Sequence, residues 1–221
     1  MTEPALAAVN LYRFFHVGDD EVLALRGVSV SIAAGELVAV VGPSGSGKST
    51  LLACLAGLDE PDGGQVSVDG HVLTRRPERR RAALRARYLG LLFQVDNLIA
   101  HLDLATNLSV AQRVAGRDQP ERRADVLERL GLGGRAHARP TQLSGGEAAR
   151  AGLAVALVND PLVVLADEPT GEIDGGTEEA VLALLRDEAA AGRAILVVTH
   201  SEAVAAAATR VVELVDGKLA A

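Results

Sequence analysis

The run Leu37-Val38-Ala39-Val40-Val41 passes directly into Gly42-Pro43-Ser44-Gly45-Ser46-Gly47-Lys48-Ser49-Thr50 and then into Leu51-Leu52-Ala53-Cys54-Leu55-Ala56. Five apolar residues, a glycine-rich stretch and a second apolar segment predict a strand, a tight loop and the start of a helix. Gly42, Gly47, Lys48 and Ser49 meet the pattern G-x-x-x-x-G-K-[ST] in the context that pattern requires. Backbone N–H groups of such a loop point inward as a nest, and the helix N-terminus adds its partial positive charge, so the segment is built to hold a polyphosphate. Glycines let phosphate oxygens approach the backbone with no Cβ in the way. Lys48 is placed to bridge β- and γ-phosphates, and Ser49 to ligate the Mg²⁺ that travels with them. The chain has two lysines, Lys48 and Lys218, against twenty arginines. A lysine in the loop therefore marks a place for a compact point charge and not a planar fork.

Further apolar runs at 88–93, 162–166 and 194–198 read as strands buried on both faces, and 210–215 as a last strand. Segments 106–114, 121–130 and 146–158 show apolar residues at three- and four-residue spacing and predict helices, as do 177–191 and 201–208. The stretches 28–32 and 65–68, set between turns, predict an antiparallel edge. Buried strands alternating with helices predict an α/β fold with a parallel sheet covered on both faces, and the all-helical stretch after Gln94 is inserted between two of its strands.

In such a sheet, ligands sit at the carboxyl ends of the strands. Strand 37–41 ends in the phosphate loop, strand 88–93 in Gln94, strand 162–166 in Asp167 and Glu168, and strand 194–198 in Thr199-His200. Asp167 suits the acidic group that holds Mg²⁺ opposite Ser49, with Gln94 as a neutral amide that ligates the metal and positions water. Glu168 suits the base that polarises the attacking water. His200 gains a functional reading from its place at a strand end; His16, His71, His101 and His137 have no such placement and read as structural or surface residues.

At 221 residues the chain is about one domain. Aromatic residues make up only 2%, so the core must come from Ala, Val and Leu. The net charge of −7 argues against nucleic acid as a partner. The seven arginines between Arg75 and Arg87 read as a solvated helical face. The single Cys54, expected in the core, fits a reducing compartment. Neither a signal peptide nor a run of about 18 apolar residues is visible, so the expected location is cytosolic.

Leu143-Ser144-Gly145-Gly146-Glu147, just before a helix, resembles the signature motif of the ATP-binding-cassette (ABC) ATPases. The motif order of that family is then complete: phosphate loop 42–50, glutamine loop at Gln94, signature 143–147, Asp-Glu strand 163–168, D-loop ending at Asp174 and switch histidine His200. The resemblance implies a P-loop NTPase parallel sheet core with an antiparallel β edge and an inserted α-helical subdomain. It implies one nucleotide-binding domain over 1–221, with core 1–94 and 160–221 and helical subdomain 95–159. It also implies ATP and Mg²⁺, hydrolysis by Glu168, His200 and Lys48, and a homodimer in which each signature closes over the other copy's nucleotide. Ser144-Gly145-Gly146 at a helix start, a second anion-binding end, agrees with that pairing.

Phe15 matches the family's adenine-stacking aromatic. Glu147 stands where glutamine is more usual, and Arg150 keeps the matching place in the following helix. The stretches 18–29, Phe93-Gln94 with Asn97-Leu98, and 166–171 with Asp174 are similar to the lipoprotein-releasing and macrolide-exporter branch. That branch implies an integral membrane permease subunit as partner and a peripheral position on the inner face of the plasma membrane. Three alternatives stand beside this reading: a soluble family member not coupled to transport; a small-molecule kinase with the same loop, which would have no use for 143–147; and a nucleotide-binding scaffold with no turnover, against which intact Glu168 and His200 argue.

Overall fold

A computed structural model describes residues 3–18, 20–171 and 175–220. Asp174, and Asp19 within the stretch 18–29, lie outside them. In chain order the elements are β1 (Leu6–Val17), β2 (Asp20–Ile32), β3 (Leu37–Val41), α1 (Lys48–Leu55), β4 (Gly63–Val68), β5 (His71–Val72), α2 (Glu78–Tyr88), β6 (Leu89–Leu92), α3 (Leu104–Val114), α4 (Pro120–Arg129), α5 (Gly145–Leu157), β7 (Val163–Asp167), α6 (Gly175–Ala190), β8 (Ala194–Val198), α7 (Glu202–Ala207), β9 (Arg210–Val215) and β10 (Lys218–Leu219). One sheet runs β10-β9-β3-β8-β7-β6, with β9, β3, β8, β7 and β6 mutually parallel and β10 antiparallel at the edge. The antiparallel strands expected as an edge form a sheet of their own, β2-β1-β4-β5.

Alternation along the parallel strands divides the core in two. Val38, Val40, Val163, Leu165, Leu196 and Val198 face α1 and the antiparallel sheet, meeting Leu51, Leu55, Leu25 and Ile32. Leu37, Val164, Ala166, Ile195 and Val197 face the opposite layer, where Leu108, Val126, Leu153, Leu157, Leu182 and Leu185 pack. α1 is thus held between two sheets, which fixes the loop that opens it. Cys54 lies fully buried on this helix, and burial pushes its thiol up to about 12.

Two elements differ from the sequence reading. The antiparallel sheet is much longer than the runs 28–32 and 65–68 suggested, because β1 and β2 pair across a hairpin with several register shifts that break the alternation. The strand expected over 88–93 is shorter at both ends: Tyr88 closes α2, and Phe93 leaves the sheet. At Phe93 the Asn97 side chain accepts from the backbone N–H at 2.7 Å and donates to the carbonyl at 2.5 Å, taking both groups out of the ladder. α3 begins at Leu104 because Asp103 caps it, accepting from the Thr106 N–H at 2.8 Å.

The arginine-rich stretch is α2 and its lead-in, with Arg75, Arg76, Arg79, Arg80 and Arg87 exposed and Arg81 and Arg85 both paired with Glu78. Glu188 of α6, with its side chain 4% exposed, sits between two cations, Arg129 of α4 and the Nε of Arg193 at 2.8 Å. Arg193 also reaches Asp160 at 3.2 Å, which Arg122 holds at 3.0 Å. This chain of charges ties α4 to the sheet layer.

Candidate functional site

Parallel pairing puts Val40, Val198 and Asp167 at one level, with Val40 opposite Val198 and Val198 opposite Asp167. Just beyond that row the Thr199 N–H donates to the Val40 carbonyl at 3.0 Å, and the Glu168 N–H to the Val198 carbonyl at 2.9 Å. Three neighbouring strands therefore deliver the phosphate loop, the Asp-Glu pair and His200 to one place. A cleft of about 620 Å³ opens there. Phe15, Gly42, Ser44, Gly45, Gly47, Lys48, Ser49, Thr50, Gln94, Asp167, Glu168 and His200 all line it. Pro43 and the buried Ser46 do not line it; within the loop the Ser46 N–H donates to the Pro43 carbonyl at 3.2 Å.

The loop is held from outside by other strands. A Cβ on Gly42 would fall 2.1 Å from the Leu214 carbonyl oxygen of β9, and one on Gly47 would fall 2.5 Å from that of Ala24 in β2. These two glycines are required by their neighbours' backbones as well as by any ligand, and both have positive φ, +150° and +103°. The Gly217 N–H donates to the Ser46 carbonyl at 3.0 Å, and the Arg26 N–H to the Gly217 carbonyl at 2.8 Å. Val22, Leu23, Ala24, Arg26, Asp216 and Gly217 consequently join the cleft wall. Sequence reading missed them, since they come from a distant sheet and a terminal hairpin; the turn Asp216-Gly217 was the one available signal.

Lys48 lies across the loop, donating to the Gly42 carbonyl at 2.8 Å and the Pro43 carbonyl at 2.9 Å. No acidic residue occupies the first turn of α1, so its N-terminal N–H groups keep their partial positive charge for an anion. Ser46 Oγ is buried and has no hydrogen-bond partner among the described residues. Burial raises Asp167, the Ser49 hydroxyl bond opposes this, neighbouring Glu168 adds to the rise and Lys48 counters it. Ser49 hydroxyl, Gln94 amide and Asp167 carboxylate are hard oxygen donors of the kind Mg²⁺ takes, with phosphate oxygens to complete its shell. Among the described residues there is no cluster of three or more His, Cys, Asp or Glu that could hold a metal ion.

Glu168 has φ +45°, a left-handed backbone for a residue with a side chain. Its side chain is 13% exposed and folds back onto β8. Oε2 accepts from Thr199 Oγ1 at 3.1 Å and from the His200 N–H at 3.3 Å, while Oε1 meets His200 Nδ1 at 2.7 Å. The imidazole itself projects outward, 73% exposed.

The structure does not bring 143–147 into this cleft. Ser144 caps α5 in a reciprocal box: its Oγ accepts from the Glu147 N–H at 3.3 Å, and Glu147 Oε2 accepts from the Ser144 N–H at 2.8 Å. Ser144's N–H, followed by the Arg135 guanidinium, holds the Glu147 carboxyl below the usual range. Gly145 instead lines a neighbouring groove of about 340 Å³, shared with Gln94 and Glu168.

The profile of the ABC transporter family matches residues 25–171, from β2 to the residues after Glu168. The chain belongs to the ABC transporter family. A macrolide export ATP-binding/permease protein, MacB, from Hyphomonas neptunium is 45% identical over 99% of this chain. The cassette spans about a third (34%) of that relative's length. An uncharacterized ABC transporter ATP-binding protein from Thermotoga maritima is 42% identical, over 96% of this chain and 92% of its own. Among solved structures, the dimeric post-hydrolysis state of the ATP-binding cassette MJ0796 bound to ADP and Pi superposes with a TM-score of 0.90. It is 32% identical, with 98% of this chain and 97% of that one covered. The cassette is an ATPase of this family, which sets aside the kinase alternative and does not favour the uncoupled one.

Proposed function

We propose that this cassette pairs with a second copy around two Mg-ATP and drives a conformational change in a membrane permease partner. The observation that carries the reading is the separation of two anion sites on one chain: the loop cleft, and the Ser144 cap of α5, which lies outside it. A head-to-tail pair lets each cap complete the other copy's cleft; MJ0796 is recorded as a dimer.

Within each cleft the loop N–H groups and Lys48 hold the β- and γ-phosphates. Ser49, Gln94 and Asp167 would hold Mg²⁺, which when bound neutralises charge on the phosphate oxygens. Phe15 stacks on adenine. Glu168 takes the proton of the attacking water, and His200, fixed through Nδ1, presents its ring to the γ-phosphate. Ser144, Gly145 and Gly146, with Leu143 and Glu147 positioning them, close over the γ-phosphate of the other copy.

The order of α3, α4 and α5 between β6 and β7 supports reading the chain as core 1–94 and 160–221 with helical subdomain 95–159. The groove beside Gln94, with Phe93 and Val95 exposed in its lining at 37% and 53%, suits a permease element. Among the described residues no helix is long and apolar enough to cross a membrane. The relatives named ATP-binding/permease protein support that pairing and a place at the inner face of the plasma membrane, in the cytoplasm.

Mixing two dead variants tests the shared site. Lys48→Ala and Ser144→Arg should each be inactive, and an equimolar mixture should regain about a quarter of wild-type phosphate release, because half of randomly formed pairs are mixed and one of the two clefts in a mixed pair is intact. A mixture as inactive as its components rules out completion in trans.

A further inference from the structure

Arg13 lies on β1, an inner strand of the antiparallel sheet, and its guanidinium is held by several partners. Its Nε and one terminal nitrogen grip both oxygens of Asp59, at 2.8 and 2.9 Å. The other terminal nitrogen reaches Asp62 at 3.0 Å and the Phe14 carbonyl at 3.2 Å. Asp62 in turn accepts from the Phe14 N–H at 2.8 Å, and its own N–H donates to the Tyr12 carbonyl at 2.9 Å. The guanidinium is therefore locked in place by two carboxylates from the segment between α1 and β4, with its side chain 21% exposed.

The locked guanidinium carbon lies 4.6 Å from the centroid of the Phe15 ring. Phe15 lines the nucleotide cleft and Arg13 does not. One ring face is thus taken by a cation that does not itself line the cleft, while the ring does. Phe15 is itself 37% exposed. A cation over an aromatic face both holds the ring and draws electron density from it, which favours stacking of an electron-rich base on the open face.

We infer that Arg13, clamped by Asp59 and Asp62, is a positioning residue that backs Phe15 as the adenine platform and so sets affinity for the base while leaving the grip on the phosphates untouched. The inference rests on the reading of Phe15 as the adenine-stacking residue. Asp59 and Asp62 gain a purpose by it: the fork holds the cation at the ring and keeps it from swinging to solvent or into the cleft.

The test compares a ligand with a base and one without. Titration calorimetry of the whole chain with Mg-ATP and with Mg-tripolyphosphate is run on wild type, Arg13→Met, Phe15→Ala and the double variant. Arg13→Met keeps the aliphatic stem and removes the cation. It should weaken ATP about 3–10-fold, in line with a partly exposed cation–π contact, leave tripolyphosphate unchanged, and raise KM with kcat within about twofold. On the Phe15→Ala background it should add nothing. Asp59→Asn, which keeps the cation and loosens its fork, should show the same pattern with a smaller loss, and carries the test if Arg13→Met folds poorly. If Phe15→Ala weakens ATP while Arg13→Met and Asp59→Asn do not, or if they weaken tripolyphosphate equally, the positioning role is overturned and the adenine reading survives. If Phe15→Ala leaves ATP binding intact, the adenine reading itself fails.

Discussion

Replacing Glu168 by glutamine separates holding nucleotide from cutting it. The carboxylate makes three contacts, with Thr199 Oγ1 at 3.1 Å, the His200 N–H at 3.3 Å and His200 Nδ1 at 2.7 Å. A glutamine of the same shape keeps an oxygen toward the first two. It turns its NH₂ toward Nδ1, which accepts in the tautomer protonated at Nε2. One charge-assisted bond becomes a neutral one, a change of about 1 kcal/mol, or roughly 2–4 °C in Tm for a chain of this size. The left-handed backbone at 168 costs glutamine the same as glutamate. Removing the proton acceptor costs about 10²–10⁴ in rate. Glu168→Gln should therefore bind ATP within about threefold of wild type, release phosphate at least about 100-fold more slowly in a single-turnover assay, and elute at twice the chain mass with ATP. A rate loss below about tenfold would show that Glu168 is not the base. A collapse of ATP binding would show that its three contacts, and not its chemistry, are what the site needs.

Asp167 tests the cost of the proposed metal site. Burial raises its carboxyl in the folded chain, so the fold binds that proton more tightly than the unfolded chain does. Stability is lost as pH rises through the unfolded value of about 3.9 and stays lost above the folded one. Asp167→Asn, which keeps an acceptor for Ser49, should raise Tm at pH 7, with the gain shrinking toward pH 3–4, while Mg²⁺-dependent hydrolysis falls; an unchanged or lower Tm at pH 7 contradicts this. Glu188→Ala leaves the largely buried Arg193 without its main counter-charge and should cost about 3 kcal/mol in a urea titration. A loss under about 1 kcal/mol would mean the Glu188 network is relaxed by water.

The parallel sheet and its strand ends were legible because each buried strand is a short, unbroken apolar run that stops at a polar residue, as 194–198 stops at Thr199-His200. Where that contrast fades, so did the reading. β1 and β2 mix charged and apolar residues and slip register between Ala8 and Leu11 and between Arg13 and Phe14, so no clean period marks them. Phe93 continues the apolar run yet leaves the sheet, because a side-chain amide four residues on captures its backbone, and a hydropathy pattern carries no trace of that. The site was legible where it lies at strand ends and hidden where it comes from across the fold. Nothing local to Val22, Ala24 or Arg26 announces a wall of the phosphate cleft, and nothing in Arg13, Asp59 and Asp62 taken one by one says that they meet.

The reciprocal box at the start of α5 has a consequence for which residue can sit at 144. The serine oxygen spends a lone pair inward on the Glu147 N–H, which leaves its hydrogen free to turn outward. One side chain thus steadies the helix and still has a proton to offer an arriving anion. Aspartate and asparagine start helices as well as serine does. The first brings a charge of the wrong sign and no proton, and the second a bulkier planar group where a small rotor fits. At this position helix formation alone does not distinguish the candidates; a free donor excludes aspartate, and size separates serine from asparagine.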